Sequence, residues 1–565
     1  MKKRKNKAQQ AVAAVVMGMN LVNTMSPLAL AAQAPLQPEA VRPAPQAQPL
    51  EYTVLPQFLQ AVEGMVFARA EAAPQNITVN DGETSSAESF NIRNDSMTIN
   101  SGGTGIIDTM NGGSQYISSG GFGSIETMNS GGQGILSGAT GSIATMNSGV
   151  QNISSGGGTG IIGTVINGSQ YVITSGYGSI GILNGSNGLQ EIYMSGVGVI
   201  GTMNDGLQYQ YVGGTCIIGT MEGGAQRGWL VHIDTINNGS QEINMSGVGS
   251  IGTMNGGMQT VNKGATGNIG IMNGGSQHVD RGTGIIDIMN DGQQRVSKDL
   301  NNNVGTGIIG TMNGGMQEII NDVGSIGIMN NGMQSVSAGA SGSIDTMNNG
   351  MQSGSGNMSI SVMNGGTQSL TSAATGNIGV MNDGEQQIGG TAVGIISSLN
   401  GGTQILNGAS ATAKDTIING GVQLVQNGTA QDNTVNGGTQ IISGGVVSGN
   451  IVNAGVMLFE NAAATVSGVA MNGGEMLFGS AAAYSISALN FNGGTVDLTE
   501  NASTVYKTLT LKNYSGSGGT FKLDADFKAV SGDKVVINNA TNAAGYIQVN
   551  GANIDESTVS EDNPL

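Results

Sequence analysis

Between residue 76 and about residue 500, short runs of alternating apolar and polar residues follow one another, with the same punctuation between them. An apolar residue, most often Met, precedes an Asn; a small pair follows, then any residue, a Gln, a variable residue and a Val or Ile. TMNGGSQYI (109–117), TMNSGVQNI (145–153), TMNGGMQTV (253–261), TMNGGMQEI (311–319) and TVNGGTQII (434–442) are copies of this phrase. The anchor Asn recurs from Asn111 through Asn167, Asn255 and Asn382 to Asn492, with Glu222 filling one gap. These are 21 steps over 381 residues, a mean period of 18.1. Weaker copies begin near Asn80 and Asn100.

A repeat of this length cannot bury one face by itself, so stacking on its neighbours is obligatory. Each repeat offers two strand-like pieces, such as GIIGTM (307–312) and MQEII (316–320), with Asn-Gly-Gly turning between them. Strand, turn, strand and loop, repeated, describe the coils of an all-β, elongated parallel β-helix (β-solenoid), with right-handed winding as the expected sense. Twenty-two anchored coils spaced at about 4.8 Å predict a rod of about 100 Å.

Period-two geometry sorts the columns. The residue after Gln varies freely (Tyr116, Glu191, His278, Arg295) and belongs outside, whereas the next is aliphatic (Ile117, Ile192, Val279, Ile319) and belongs inside. Gln therefore points inward as well. A buried amide needs partners, and identical side chains stacked coil on coil can bond along the axis, so Gln259 and Gln317 are read as rungs of an amide ladder. The Met column (Met254 and Met312 among others) interchanges with residues read as Ile166, Leu183, Ile236 and Leu399. Such interchange marks a core position rather than a soft-metal site.

Composition narrows the class. Gly accounts for 97 of 565 residues, charged residues for 10 % and aromatics for 4 %, while 38 % are hydrophobic. Collagen, disorder and a conventional aromatic core are thereby excluded. The net charge of −18 becomes −23 once the five basic residues among the first seven are set aside, so nucleic acid is excluded as a partner. Cys216 is the one cysteine; no intrachain disulfide can form. It stands in GTCIIGT, where other coils carry Gly or Ser.

Residues 1–31 combine the basic head MKKRKNK, an apolar stretch and an A-x-A site, which together read as a secretory signal cleaved after Ala31. Residues 32–75 form a Pro-rich linker, in which LPQFLQAVEGMVFARAEA (55–72) spaces Phe58, Leu59, Val62 and Val66 for a short helix. No Pro lies between 75 and 563. Proline is kept out of central strands, so the array at 76–500 is expected to have its strands paired on both sides. Residues 501–565 are read as its cap and tail.

The stretch NGGTQILNGASATAKDTIINGGVQLVQNGTAQDNTVNGGTQIISGGVVSGNIVNAG (400–455) resembles the strand-loop-strand repeats of AIDA-type autotransporter passengers. The segment STVYKTLTLKNYSGSGGTFKLDADFKAVSGDKVVINNATNAAGYIQVN (503–550) is similar to the C-terminal part of pertactin-like passengers, which closes the β-helix and aids folding during export. The resemblance implies an exported passenger of a Gram-negative bacterium, a cell-surface adhesin or aggregation factor active in biofilms, attached to an outer-membrane β-barrel. It further implies, for some members, O-glycosylation on Ser and Thr. A barrel requires strands of roughly ten alternating residues, and none follow before Leu565. The sequence is then expected to be part of a longer protein, or the passenger to be released or held by a partner.

Catalysis is not expected. There are two histidines, His232 and His278, and no nucleophile-elbow, HExxH or Walker motif. A polysaccharide-degrading β-helix enzyme would need clustered Asp, Lys and Arg, which the columns lack. No cofactor or metal is implied. The chain's one aromatic and basic cluster, Tyr209, Tyr211, Arg227, Trp229 and His232, is read either as a contact for a host or bacterial cell-surface glycan or protein, or as a local defect filled by larger side chains. The remaining alternative is a released or self-associating scaffold.

Overall fold

The computed structural model describes residues 76–91, 95–154, 156–297, 304–499, 505–526 and 528–552. The signal, the linker and the helix expected at 55–72 lie outside the described residues. Among the described residues every regular element is a strand and none is a helix. The chain divides into two compact units, Met1–Gly239 and Ser240–Leu565. Each is a parallel β-solenoid, and in all there are about 23 coils with a spacing near 18 residues.

In unit 1 a typical coil consists of Thr104–Met110 and Ser114–Ile117. The longer strand pairs in parallel with Phe122–Met128, and its register passes from Ile107↔Ile125 to Thr109↔Thr127, skipping Asp108, where the chain turns a corner. Ile107, Met110 and Ile117 are fully buried, and the same columns continue as Ile125, Met128 and Ile135 in the next coil. Each such side chain contributes about 1.5–3 kcal/mol on burial. The second Gly of the Asn-Gly-Gly corner is conformationally required: Gly275 has φ +81°, and a Cβ there would lie 2.6 Å from the Gly257 carbonyl oxygen.

Two assignments made from the sequence shift in the structure. Val165, not Ile166, occupies the Met column, pairing with Met146 and Leu183. Ile166 falls instead in the Asn column and is 42 % exposed. The register offset is the same on both sides of the phrase, so nothing is inserted in it: Ile166 replaces the anchor Asn, and Asn167 stands one place later, in register with Ser148. Likewise Asn80 and Asn100 are not anchor copies. They follow the aliphatic column, where the Asn100 amide donates to Asn80 Oδ1 (2.9 Å), and the anchor before Asn111 is Asn91.

Unit 2 uses the same coil up to Leu399 and then modifies it. The seven-residue strand breaks into Thr412–Lys414 and Ile417–Ile418, with Asp415 and, one coil on, Asp432 at positive φ (52° and 53°). A buried polar column satisfies the backbone at the break. The Thr416 N–H donates to Asn433 Oδ1 (2.8 Å), the Asn433 N–H to Asn450 Oδ1 (3.1 Å), and the Asn450 amide to Gln440 Oε1 (3.0 Å). Toward the C-terminus, Ala483–Phe491 pairs with Thr508–Gly516, which pairs with Lys534–Ala543. Thr520–Asp526 pairs in parallel with Tyr546–Ala552 and forms a small antiparallel contact with Ser531–Gly532.

Candidate functional site

Side-chain ladders organise the interior and one line of the exterior. In unit 2 the Gln259 amide donates to Gln241 Oε1 (2.7 Å) and accepts from Gln277 (2.6 Å). Gln317 donates to Gln294 (2.7 Å) and accepts from Gln334 (2.7 Å). Both Gln residues, together with Met254, Met312 and Ile319, are fully buried. The column ends where Gln440 meets Met457. In unit 1 it runs from Gln115, which donates to the Gly105 carbonyl (3.3 Å), to Gln226, which donates to Gln208 (2.7 Å). Sequence reading gave the anchor Asn only a turn role. In unit 2 its amides form an exposed rail, each Nδ2 donating to the previous Oδ1, from Asn273 on Asn255 (2.9 Å) to Asn492 on Asn472 (3.1 Å). The signal that could have revealed the rail is the one used for Gln, identical residues in register on successive coils.

The aromatic cluster arises from a shortened coil in unit 1. Asn237 bonds Glu222 only 15 residues back (2.8 Å). Register runs Gln208↔Gln226 and Tyr209↔Arg227, then resumes at Cys216↔Val231, so the corner loop at 211–214 has no counterpart in this coil. Gln210 stands in the aliphatic column and closes the corner. Its Oε1 accepts the N–H groups of Trp229 and Leu230, each at 2.7 Å, and its amide donates to the Gly214 carbonyl. A Cβ at Gly228 would lie 2.4 Å from Gln210 Oε1. The room lost in the aliphatic column is restored in the inner Gly column, where Cys216 and Val231 are buried. Burial also pushes the Cys216 thiol well above its ordinary range, the condition of an inert cysteine.

The uncovered corner is apolar. Val212 is 68 % exposed, Met194 60 % and Leu230 48 %. Tyr211 stacks on Tyr193 (centroids 4.4 Å, 9°) and meets Tyr209 edge-on (4.7 Å). The Tyr193 hydroxyl donates to Glu191 Oε2 (2.5 Å), which, with burial, holds its proton tightly. Arg227 is exposed beside Tyr209 in register. Trp229 is half-buried. His232 lies elsewhere, in register with Ile217 and bonded to Asp234 Oδ1 (2.8 Å). The structure thus groups Tyr209 and Tyr211 with Tyr193, Met194 and Val212, which sequence reading missed, and places His232 in a different column.

Near the C-terminus Asp533 ties strands together, accepting the N–H groups of Lys507 (2.7 Å) and Asp524 (2.8 Å). Burial, then the neighbouring Asp533 charge, raises the Asp524 carboxyl above the usual range. Among the described residues no group of three His, Cys, Asp or Glu is placed to hold a metal ion.

Parallel coils that present continuous side-chain ladders and close in longer terminal strands define a parallel β-solenoid. The Pertactin family model matches residues 486–565, which take in the strands from Ala483–Phe491 to Tyr546–Ala552. With the solenoid ahead of that region, the chain fits a pertactin-like autotransporter passenger, a type that is exported and typically non-catalytic. No curated protein matches the chain.

Proposed function

We propose that this chain is a non-catalytic, AIDA-type passenger displayed on the outer surface of a Gram-negative cell, where it acts as an adhesin or aggregation factor. Export uses the N-terminal signal, cut after Ala31, and an outer-membrane β-barrel holds the passenger at the surface. The observation that carries the reading is the pertactin match at residues 486–565 on the C-terminal coils of a solenoid whose interior holds aliphatic and amide columns. The repeats at 400–455 support the AIDA-type assignment. Fractionation with an antibody against the repeats tests it. A product heavier than the 56.8 kDa of this chain by the mass of a barrel, found in the outer membrane, supports display. A product near the mature mass, in the medium or periplasm, overturns anchoring and leaves a released scaffold.

The contact surface in this reading is the bare corner around Tyr211, directed at a cell-surface glycan or protein. Exposed aromatics are typical binding anchors. Tyr211→Ala and Trp229→Ala are each expected to weaken adhesion by about 2 kcal/mol, roughly thirtyfold in Kd, with far-UV circular dichroism unchanged. The Trp229 N–H that holds Gln210 is backbone and survives the substitution. Adhesion equal to wild type in both variants removes the site.

The scaffold reading has its own support in the exposed Asn rail of unit 2. Each Asn retains hydrogen-bonding capacity beyond its ladder bond, a regular row suited to association with a second copy.

A further inference from the structure

A depression of about 520 Å³ lies on an outer face of the C-terminal coils of unit 2. It exists because two outward columns lose their side chains. In the first, Thr434 and Ile451 are followed by Ala470. At the strand break beside it, Asp432 gives way to Gly449 and then Gly468, and Ala488 completes the floor. The wall beyond is built by the same two columns in the following coils. One continues from Ala470 as Asn490, Ser515 and Thr541; the other runs from Ala488 to Asn513 and Asn539.

We propose that this groove binds a neutral saccharide chain. Its lining holds no charged side chain, in a protein of net charge −18, so it offers no counter-charge to an ionic ligand. Its polar groups are amides and hydroxyls, which both donate and accept, as sugar hydroxyls do. They recur at the coil spacing of about 4.8 Å. Two of the amides are held in place: Asn513 donates to the Ser487 carbonyl (3.1 Å), and Asn539 donates to Asn513 Oδ1 (3.3 Å). The groove's polar side chains stand on an outer sheet face, and the last strand that lines it, Lys534–Ala543, pairs with Thr508–Gly516. The volume falls within the range of small-ligand sites. The Tyr514 ring under the floor is only 4 % exposed, so no aromatic platform is present and the affinity is modest.

This site is separate from the Tyr211 corner and does not depend on where the protein is displayed. Purified full-length chain would be titrated with maltohexaose, cellohexaose and chitohexaose, with a heparin hexasaccharide for comparison, by saturation-transfer NMR and calorimetry. At least one neutral hexasaccharide is expected to bind with Kd of about 0.1–5 mM. Ala488→Trp, which fills the floor from the outside, is expected to weaken it more than tenfold, and Asn539→Ala, at an exposed position, severalfold. Tyr116→Ala, at an exposed outward position in unit 1, leaves it unchanged. No neutral binding at about 20 mM, binding that survives both groove variants, or equal binding of heparin would each overturn the proposal. Any of these results leaves the display reading intact, because fractionation tests that separately.

Discussion

Gln259→Leu is expected to destabilise the coils around it by about 2–4 kcal/mol. The swap keeps an apolar side chain of similar size but removes two ladder bonds, those to Gln241 (2.7 Å) and from Gln277 (2.6 Å). Gln277 keeps a bond to the Gly267 carbonyl (3.1 Å), whereas Gln241 Oε1 loses its ladder donor in a fully buried column. An unsatisfied buried acceptor carries its full desolvation cost, and this outweighs the added apolar burial. Because solenoid stability is a sum of coil and interface terms, the loss should be local. Hydrogen exchange of Met258–Val261 and Ser276–Asp280 would accelerate, together with a lower urea midpoint. Unchanged or higher stability, with register preserved, would mean that the ladder contributes nothing net.

The second large effect lies in the inner Gly column. A Cβ at Gly284 would lie 2.4 Å from Val279 Cγ2 and 2.6 Å from Gln277 Oε1, so Gly284→Met alone is expected to cost about 3 kcal/mol through overpacking. Val279→Gly alone leaves a void and costs about 2–3 kcal/mol. The double variant should recover much of the loss, with a coupling of about 2 kcal/mol in a double-mutant cycle. The chain itself carries this exchange. Gly354 replaces the aliphatic residue in the register of Val336, while Met358 replaces Gly in the register of Gly342 and is 2 % exposed. Gly228 and Val231 make the same trade in unit 1. Additive losses would show that the two columns do not share one volume.

The parallel β-solenoid was legible in the sequence because the repeat exposes its inner columns: one residue type recurs at one phase, and a second alternates freely beside it. What stayed hidden depended on residues a full coil apart. Tyr193 joins the Tyr211 stack from 18 residues upstream, outside any local window. Asn was read by its turn chemistry, and that masked its bonds to the same residue in the next coil. Ile166 was misplaced because Ile replaces the anchor Asn there and an Asn follows one place later, so the visible phrase shifts while the buried column does not. The polar column Thr416, Asn433 and Asn450 was missed because its residues vary. Only the shared need to satisfy a broken strand unites them.

Ladder partners are 16 residues apart at Gln352 and Gln368, 20 at Gln170 and Gln190, and 23 at Gln294 and Gln317, yet each amide bond is 2.6–2.7 Å. Length is absorbed at the corners and never by the columns. For the gene, this makes a whole coil the natural unit of gain and loss. A recombination event between two copies of the TMNGG phrase joins matching columns wherever it falls, so array length can drift by integral coils while every surviving coil keeps neighbours of the same kind.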